Sequence, residues 1–508
     1  MSEPSKNWLR RMIIISSPAC VLACVLMAGC AVGPNFKRPA APAVGDYTDH
    51  ALGDTVTSTN VTGGEAQRFV KGSEIAGDWW TLFHSQPLNE LIQLALTNNP
   101  DLKAAQAALT VAWENVLAQR GAYFPSVTAG FAASRAKQSS ILAPTPNYPV
   151  VPQEFQYSLF TPQVSVAYSP DVFGLNRRTM ESVKAQEENI RFQMIATYTT
   201  LTANVVVTAI QAAAVQAQLD ATRQLVDLNS NMVEILRYQY QKGYAGRLDV
   251  VAQESQLAQV TATLPPLIKQ SAQLRDLLAV LAGKFPNQAP AEKFELASLK
   301  LPEEVPLSLP SQLVAQRPDV LQAEANLHAA SAQIGIAIAN RLPNITLTAD
   351  AGSTALAIDK VFTSGTGFWA LGATATAPIF EGGQLLHAER AAKAAYTQSA
   401  EQYRSTVLTA FQNVADTLAA LQQDAEGLKA AANAADDARE TLDLSQRQWR
   451  DGYISNLALL SAEQAYQQAR INLVQAQANR FADTAALFQA LGGGWWHRTD
   501  LTKDKNEK

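Results

Sequence analysis

Cysteine is almost absent from this chain: of 508 residues only Cys20, Cys24 and Cys30 are cysteine, and all three fall within the first thirty. The rest of the sequence is therefore no disulfide scaffold. Histidine is scarce as well, and His50, His84, His328, His387 and His497 are scattered without metal-ligand spacing. No phosphate-cradling glycine loop, nucleophile elbow or HExxH motif is present. Ser134 and Lys137 have SxxK spacing, but the companion SDN and KTG motifs of penicillin-recognising acyl enzymes are missing and the pair falls in a predicted strand. These absences remove the usual signs of catalysis, and no enzyme activity, metal site or cofactor is expected.

Long apolar runs are missing beyond Cys30. Residues 201–217 come nearest to the roughly 20 residues of a spanning helix, so any membrane crossing must be made by strands. The amino terminus has Lys6, Arg10 and Arg11, an apolar stretch at 12–25, and LMAGC at 26–30, the order of a secretory signal. Small residues before Cys30 suit cleavage there and acylation of the new amino-terminal thiol. Ala31, where aspartate would retain a lipoprotein at the inner membrane, points to the outer membrane. Losing residues 1–29 removes a net charge of +2 and moves the formal charge from −5 to −7. A mildly acidic exported chain is a poor nucleic-acid binder.

Proline is missing from residues 177–242 and 385–451, and each run of about 66 residues would make a helix about 100 Å long at 1.5 Å per residue. Apolar positions recur every seventh residue: Ala212, Leu219, Val226, Val233 and Tyr240 in the first run, Leu421, Leu428, Ala435, Leu442 and Trp449 in the second. Heptad spacing implies left-handed winding against a neighbour. A second stripe at Leu228, Met232 and Ile235 predicts neighbours on both sides. Gly243 and Gly452 stand where helix C-caps are wanted, and a returning helix should follow each, to Gly283 and Gly492. Pro265-Pro266 should kink or break the first return.

The two runs belong to an internal repeat. Pro100-Asp101 recurs as Pro318-Asp319, each followed 25 residues later by a proline, Pro125 and Pro343, while Gly243-Tyr244 recurs as Gly452-Tyr453. The heptad series are displaced by one constant interval of 209 residues. A duplicated unit accounts for such coincidence. Within each unit a helix (101–122 in the first) precedes two strands. Val127, Ala129, Phe131 and Ala133 alternate with Thr128, Gly130, Ala132 and Ser134, and Ile345, Leu347, Ala349 and Ala351 with Thr346, Thr348, Asp350 and Gly352. Return strands fit 155–168 and 367–377, where Trp369, Leu371, Ala373 and Ala375 share a face. Four strands cannot close a barrel; two chains would give a tight one and three a barrel of twelve strands with room for a lumen.

CAVGPNFKRP from Cys30, the duplicated helix-strand-strand-helix-helix plan, YQKGYAGRLDVVAQ from Tyr240 and LPPLIKQ from Leu264 together carry a likeness. The chain resembles the TolC-like outer-membrane efflux proteins, specifically the NodT-type lipoprotein branch, over nearly all of its length to about Gly494. The resemblance implies an α+β, mainly α, fold: a homotrimer whose twelve-stranded transmembrane β-barrel is continuous with a long periplasmic α-helical barrel. It implies an exit duct whose hairpin tips, Gly243, Tyr244, Arg247, Gly452, Tyr453 and Ser455, meet a periplasmic membrane fusion (adaptor) protein coupled to an inner-membrane efflux pump. It also implies a gate one to three turns before the tips, where Asp436, Asp437 and Arg439, and Asp227 and Arg223, are the candidates. A ring of carboxylates around a narrow axis would concentrate cations.

The expected organisation is a signal peptide at 1–29, a lipidated segment at 30–85, a first repeat at 86–308 (strands 127–168, hairpin 177–283), a second at 309–494 (strands 345–377, hairpin 385–491) and a tail at 495–508. Trp79-Trp80 and Trp495-Trp496 flank the repeats and read as packing of the terminal segments. The competing function is a periplasmic adaptor or scaffold that uses long hairpins as spacers and has no pore.

Overall fold

The computed structural model describes residues 31–49, 52–138, 155–289 and 294–502. The expected signal segment, the expected lipidation residue Cys30, His50 and the Pro-rich loop at 144–152 lie outside the described residues. In chain order the main elements are β1 (Arg68–Lys71), α1 (Gln86–Asn98), α2 (Pro100–Arg120), β2 (Ser126–Gln138), β3 (Phe155–Tyr168), α3 (Leu175–Gln241), α4 (Arg247–Ala262), α5 (Leu264–Leu281), β4 (Glu304–Leu307), α6 (Pro310–Gln316), α7 (Pro318–Ala339), β5 (Asn344–Ser353), β6 (Gly367–Thr376), α8 (Gln384–Arg450) and α9 (Asn456–Ala490). Among the described residues they cluster into two compact units, one drawn from residues 31–38, 111–187 and 325–401, the other from 39–110, 188–324 and 402–502. The units cut across the repeat because each takes the same portion of both copies.

The first unit holds a four-stranded antiparallel sheet in the order β2-β3-β5-β6. Its amino-terminal residues are pinned by Arg178, a buried side chain whose guanidinium donates to the Val32 and Gly33 carbonyls and to Asn35 Oδ1 at 2.9, 3.2 and 2.8 Å. Gly33 has φ +90°, and a Cβ there would stand 2.5 Å from Gly335 Cα, so only glycine lets the segment lie this close to α7. Glu181 pairs with Arg178 at 2.6 Å and with His328 at 3.0 Å, and His328 stacks on Phe36. His328 is thus a packing residue. At the start of α3 the Asp171 carboxylate accepts from the Asn176 and Arg177 amides, both at 2.9 Å, satisfying donors that a helix start leaves open.

The second unit is helical. Pro100 and Pro318 occupy the first positions of α2 and α7, where a missing N–H costs nothing. Asn99 caps α2 by accepting from the Asp101 and Leu102 amides at 2.9 and 3.0 Å. Pro265-Pro266 ends the first return at Thr263 and opens α5, while α9 runs unbroken for 35 residues. The heptad series of α8 is buried at Leu421, Leu428, Ala435 and Leu442. That of α3 is buried at Leu219 and Val233 but exposed at Tyr240, and in the second stripe Met232 is buried while Ile235 is exposed and Leu236 takes the inner position. The stripe therefore turns by one residue near the hairpin tip. α3 also carries a stretch long and apolar enough to cross a bilayer, yet 61% of it is buried inside the protein, so its apolarity is used in packing.

The segment at 52–85 is strapped over this unit. Arg480 of α9, 0% exposed, donates to the carbonyls of Gly63, Leu421 and Glu65 at 3.4, 2.8 and 3.0 Å and to Thr55 Oγ1 at 2.8 Å. Gln67 adds bonds to Thr55, Pro302 and Thr484, and β1 pairs in parallel with β4. Trp79, buried, packs on Phe83 and Phe488, and the Trp495 indole donates to the Gln316 carbonyl at 2.7 Å. The paired tryptophans are packing groups.

Candidate functional site

The sheet sorts its side chains by polarity. Residues opposite one another in an antiparallel pair share a face, so the register places Val127, Ala129, Phe131 and Ala133 with Phe160, Pro162, Val164 and Val166, these with Ala349 and Ala351, and these with Leu371 and Trp369. Phe131 and Phe160 stack across strands at 6.5 Å between centroids. On the other face lie Thr128, Ser134, Thr161, Gln163, Ser165, Thr346, Thr348, Asp350, Thr374 and Thr376, with Ser165 donating to Asp350 at 2.5 Å. Trp369 and Leu371 are each 75% exposed. An apolar face that full of large side chains needs a nonaqueous neighbour. β5 and β6 have ten residues each, the length of a tilted membrane strand, about 9–11 residues. Arg135 and Lys137 occupy the apolar face only at the far end of β2, where a membrane strand leaves the hydrocarbon. The same alternation puts Ser134 and Lys137 on opposite faces, which disposes of the SxxK spacing.

β2 and β6 are the open edges. Their outer backbone groups have no partner within the sheet, which in hydrocarbon costs several kcal/mol per group.

The hairpin tips in the second unit are built alike. Gly243 and Gly452 have φ +79° and +77°. The amides of Gly243 and Tyr244 donate to the Tyr240 and Gln239 carbonyls at 3.0 and 2.9 Å, and those of Gly452 and Tyr453 to Trp449 and Gln448 at 3.1 and 2.8 Å. Both are Schellman caps, which require a left-handed residue and hence glycine. Each return is then capped differently: the Ser455 hydroxyl accepts from the Ala458 amide at 3.3 Å, and in the first repeat Asp249 accepts from the Gly246 amide at 3.2 Å. Asp249 thus reaches back to the amide at the N-cap, whereas Ser455 reaches forward from the N-cap to the amide three residues on. Tyr244 and Tyr453, 84% and 80% exposed, stand out from the tips, and Arg247 is exposed beside them.

Asp436, Asp437 and Arg439 are exposed on α8, as are Asp227 and Arg223 on α3. Arg223 pairs with Asp220 at 3.1 Å rather than with Asp227, and among the described residues no ion pair joins Asp436, Asp437 and Arg439. Sequence reasoning passed over the buried charges. Asp424 is pushed up to about 7 by burial and then by its neighbour Asp483, and Glu463 is pushed up to about 7 by burial. A charged residue among Ala478, Phe481 and Ala485 was the available signal for Arg480. Among the described residues no cluster of His, Cys, Asp and Glu is set to hold a metal.

A sequence model for the family described as "Outer membrane efflux protein" matches residues 91–284 and again 309–493, once per repeat. The probable efflux pump outer membrane protein TtgC of Pseudomonas putida is 30% identical over 478 residues, spanning 93% of this chain and 94% of its own. The pyoverdine export outer membrane protein OpmQ of the same species is 29% identical over 419 residues, 82% of this chain and 88% of its own. The solved CmeC outer membrane channel of Campylobacter jejuni superposes with a TM-score of 0.82 at 21% identity, over 94% of this chain and 96% of that one, a likeness of fold.

Proposed function

This chain belongs to the outer membrane efflux protein family, and from that premise we propose that three copies join their sheets edge to edge into one twelve-stranded barrel that serves as an exit duct. The protein is an outer-membrane efflux channel with the TolC-like fold, extending into the periplasm. The carrying observation is the open, two-faced sheet: β2 and β6 need partners in oil, and a second copy offers the complementary edges. Eight strands would enclose little more than their own side chains, whereas twelve leave a lumen for the polar face. A pore-free adaptor or scaffold has no use for such a sheet, and the family displaces that reading.

The work is conduction rather than catalysis. The exposed tips around Tyr244, Arg247, Tyr453 and Ser455 fit a periplasmic membrane fusion protein, itself coupled to an inner-membrane pump that hands over small molecules or ions. Cys30 is the lipid attachment point, and the Arg178 clamp on residues 32–35 supports this reading, because it ties the chain just after Cys30 to the unit that holds the sheet. Palmitate label should enter the wild type and be lost in Cys30→Ala; label retained in that variant removes the assignment.

Asp436 and Asp437 form the constriction together with Arg439, Asp227 and Arg223. Purified protein in a planar bilayer should pass current, and Asp436→Ala with Asp437→Ala should raise single-channel conductance and weaken cation preference. No current from well-folded wild type would sink the duct reading; unchanged conductance and selectivity in the double variant would sink only the gate.

A further inference from the structure

The seam between the two helix hairpins carries polar groups inside an apolar cluster. Met232, Leu236, Val250, Leu442, Leu459 and Ala462 form a buried core drawn from α3, α4, α8 and α9. Through it runs a polar ladder: Asn456 Nδ2 donates to the Asp249 carbonyl at 3.3 Å, Gln464 Nε2 to Gln256 Oε1 at 2.8 Å, and Gln253 Nε2 to Asn229 Oδ1 at 2.9 Å. Glu463 sits within this ladder, 1% exposed, and neither of its carboxyl oxygens has a hydrogen-bond partner among the described residues. The Gln253 side chain lies alongside, and its Oε1 likewise lacks a partner. Buried acceptors without a donor are costly, and one proton on Glu463 would supply a donor among them.

The repeat sharpens the point. The counterpart of Glu463 in the first hairpin is Glu254, which pairs with Arg237 at 2.6 Å at the surface. At the position equivalent to Arg237 the second hairpin has Gln446. Glu463 has therefore lost the cation its counterpart keeps, and has been buried. Ionisable residues near this level are Asp227, Glu234 and Arg237 on α3, Asp249 and Glu254 on α4, and Asp443 and Arg447 on α8, all exposed or half-exposed. None of them contributes to the electrostatics of Glu463, which are set by burial and, in the opposite sense, by the Gln253 amide.

We propose that Glu463 is a proton-operated clasp between the two hairpins of one subunit: neutral, it closes the ladder with Gln253; ionised, it drives α9 away from α3 and α4. The direction follows from linkage. Burial raises this carboxyl from its ordinary range to about 7, so the packed state holds a proton that the separated state has released. Packing is strongest in acid and weakens as pH rises from the ordinary carboxylate range toward 7, beyond which no further loss occurs. One proton changes the separated-to-packed ratio by at most about tenfold per pH unit. Conduction enters only as a consequence, resting on the channel reading: hairpins that part at neutral pH would widen the periplasmic end.

The test is a distance between spin labels on exposed Ser255 and Ala465, introduced as cysteines in the full-length protein in detergent and followed from pH 5 to 8. Wild type should gain a longer-distance population as pH rises. Glu463→Gln, neutral at every pH and able to donate to Gln253, should stay packed throughout. Gln446→Arg, which returns the missing cation, should also remove the pH dependence; a merely structural polar contact would instead be disturbed by it. A wild-type distance that does not change with pH, or a Glu463→Gln protein that titrates like wild type, overturns the clasp; the latter result would point to Asp424 and Asp483. Protein that separates with pH but passes no current at any pH would sink the duct and leave the clasp standing.

Discussion

Arg480→Ala should destabilise the protein by about 3–5 kcal/mol, the usual cost of deleting one partner from a buried charged cluster. The guanidinium is wholly buried and spends its donors on three carbonyls and a hydroxyl, and three of these four acceptors belong to the strap at residues 55–65. Alanine would leave the Gly63 and Glu65 carbonyls and the Thr55 hydroxyl facing a void that carries no donor. The charge matters as well, because Asp424 and Glu65 lie close enough to favour the cation against burial. Arg480→Lys keeps the charge but offers a compact head that cannot span four acceptors, so it should recover less than half of the loss. The measurement is a denaturant midpoint together with limited proteolysis. Cleavage between residues 52 and 67 should appear in the alanine variant under conditions where wild type is intact. A strap that stays protected would show that Gln67, through Thr55, Pro302 and Thr484, holds it without help.

The elements that were legible in the sequence are those whose signal is local and periodic. Proline-free runs became helices of 67 residues each, α3 and α8, and glycines at the ends of heptad series became caps with positive φ. Alternation at Val127–Ala133 and Ile345–Ala351 became paired strands because a period of two admits nothing else when one side faces oil. The less legible parts depend on contacts across long sequence separations. Arg480 meets residues more than 400 positions away, and no periodicity announces such a meeting. Glu463 looks like any acid on an amphipathic helix until its neighbours from the other hairpin are in place. Position before the turn is all that marks the gate candidates in the sequence, whereas the Asp220 partner of Arg223 is legible there from its i,i+3 spacing.

Leu371→Arg should prevent assembly in the outer membrane, while Thr374→Arg, three residues along the same strand, should assemble and alter conduction. Leu371 is the fifth and Thr374 the eighth of the ten residues of β6, and both are exposed in the single chain, so burial does not separate them. Register does: Leu371 lies opposite Ala349 on the apolar face, and Thr374 lies opposite Thr346 on the polar one. A cation on the lipid face near the bilayer midplane costs about 2–4 kcal/mol per copy, and three copies would carry it together. On the lumen face the same guanidinium remains in water and adds a ring of positive charge, which should lower cation conductance without loss of trimer. Heat-modifiable trimer in outer-membrane fractions and single-channel current read the two outcomes. If both arginines assembled equally well, the two faces would not differ in environment and the sheet would not be a bilayer wall. If Thr374→Arg were the one excluded, the barrel would be closed with the opposite face outward, and Trp369 and Leu371 would have to be placed in water.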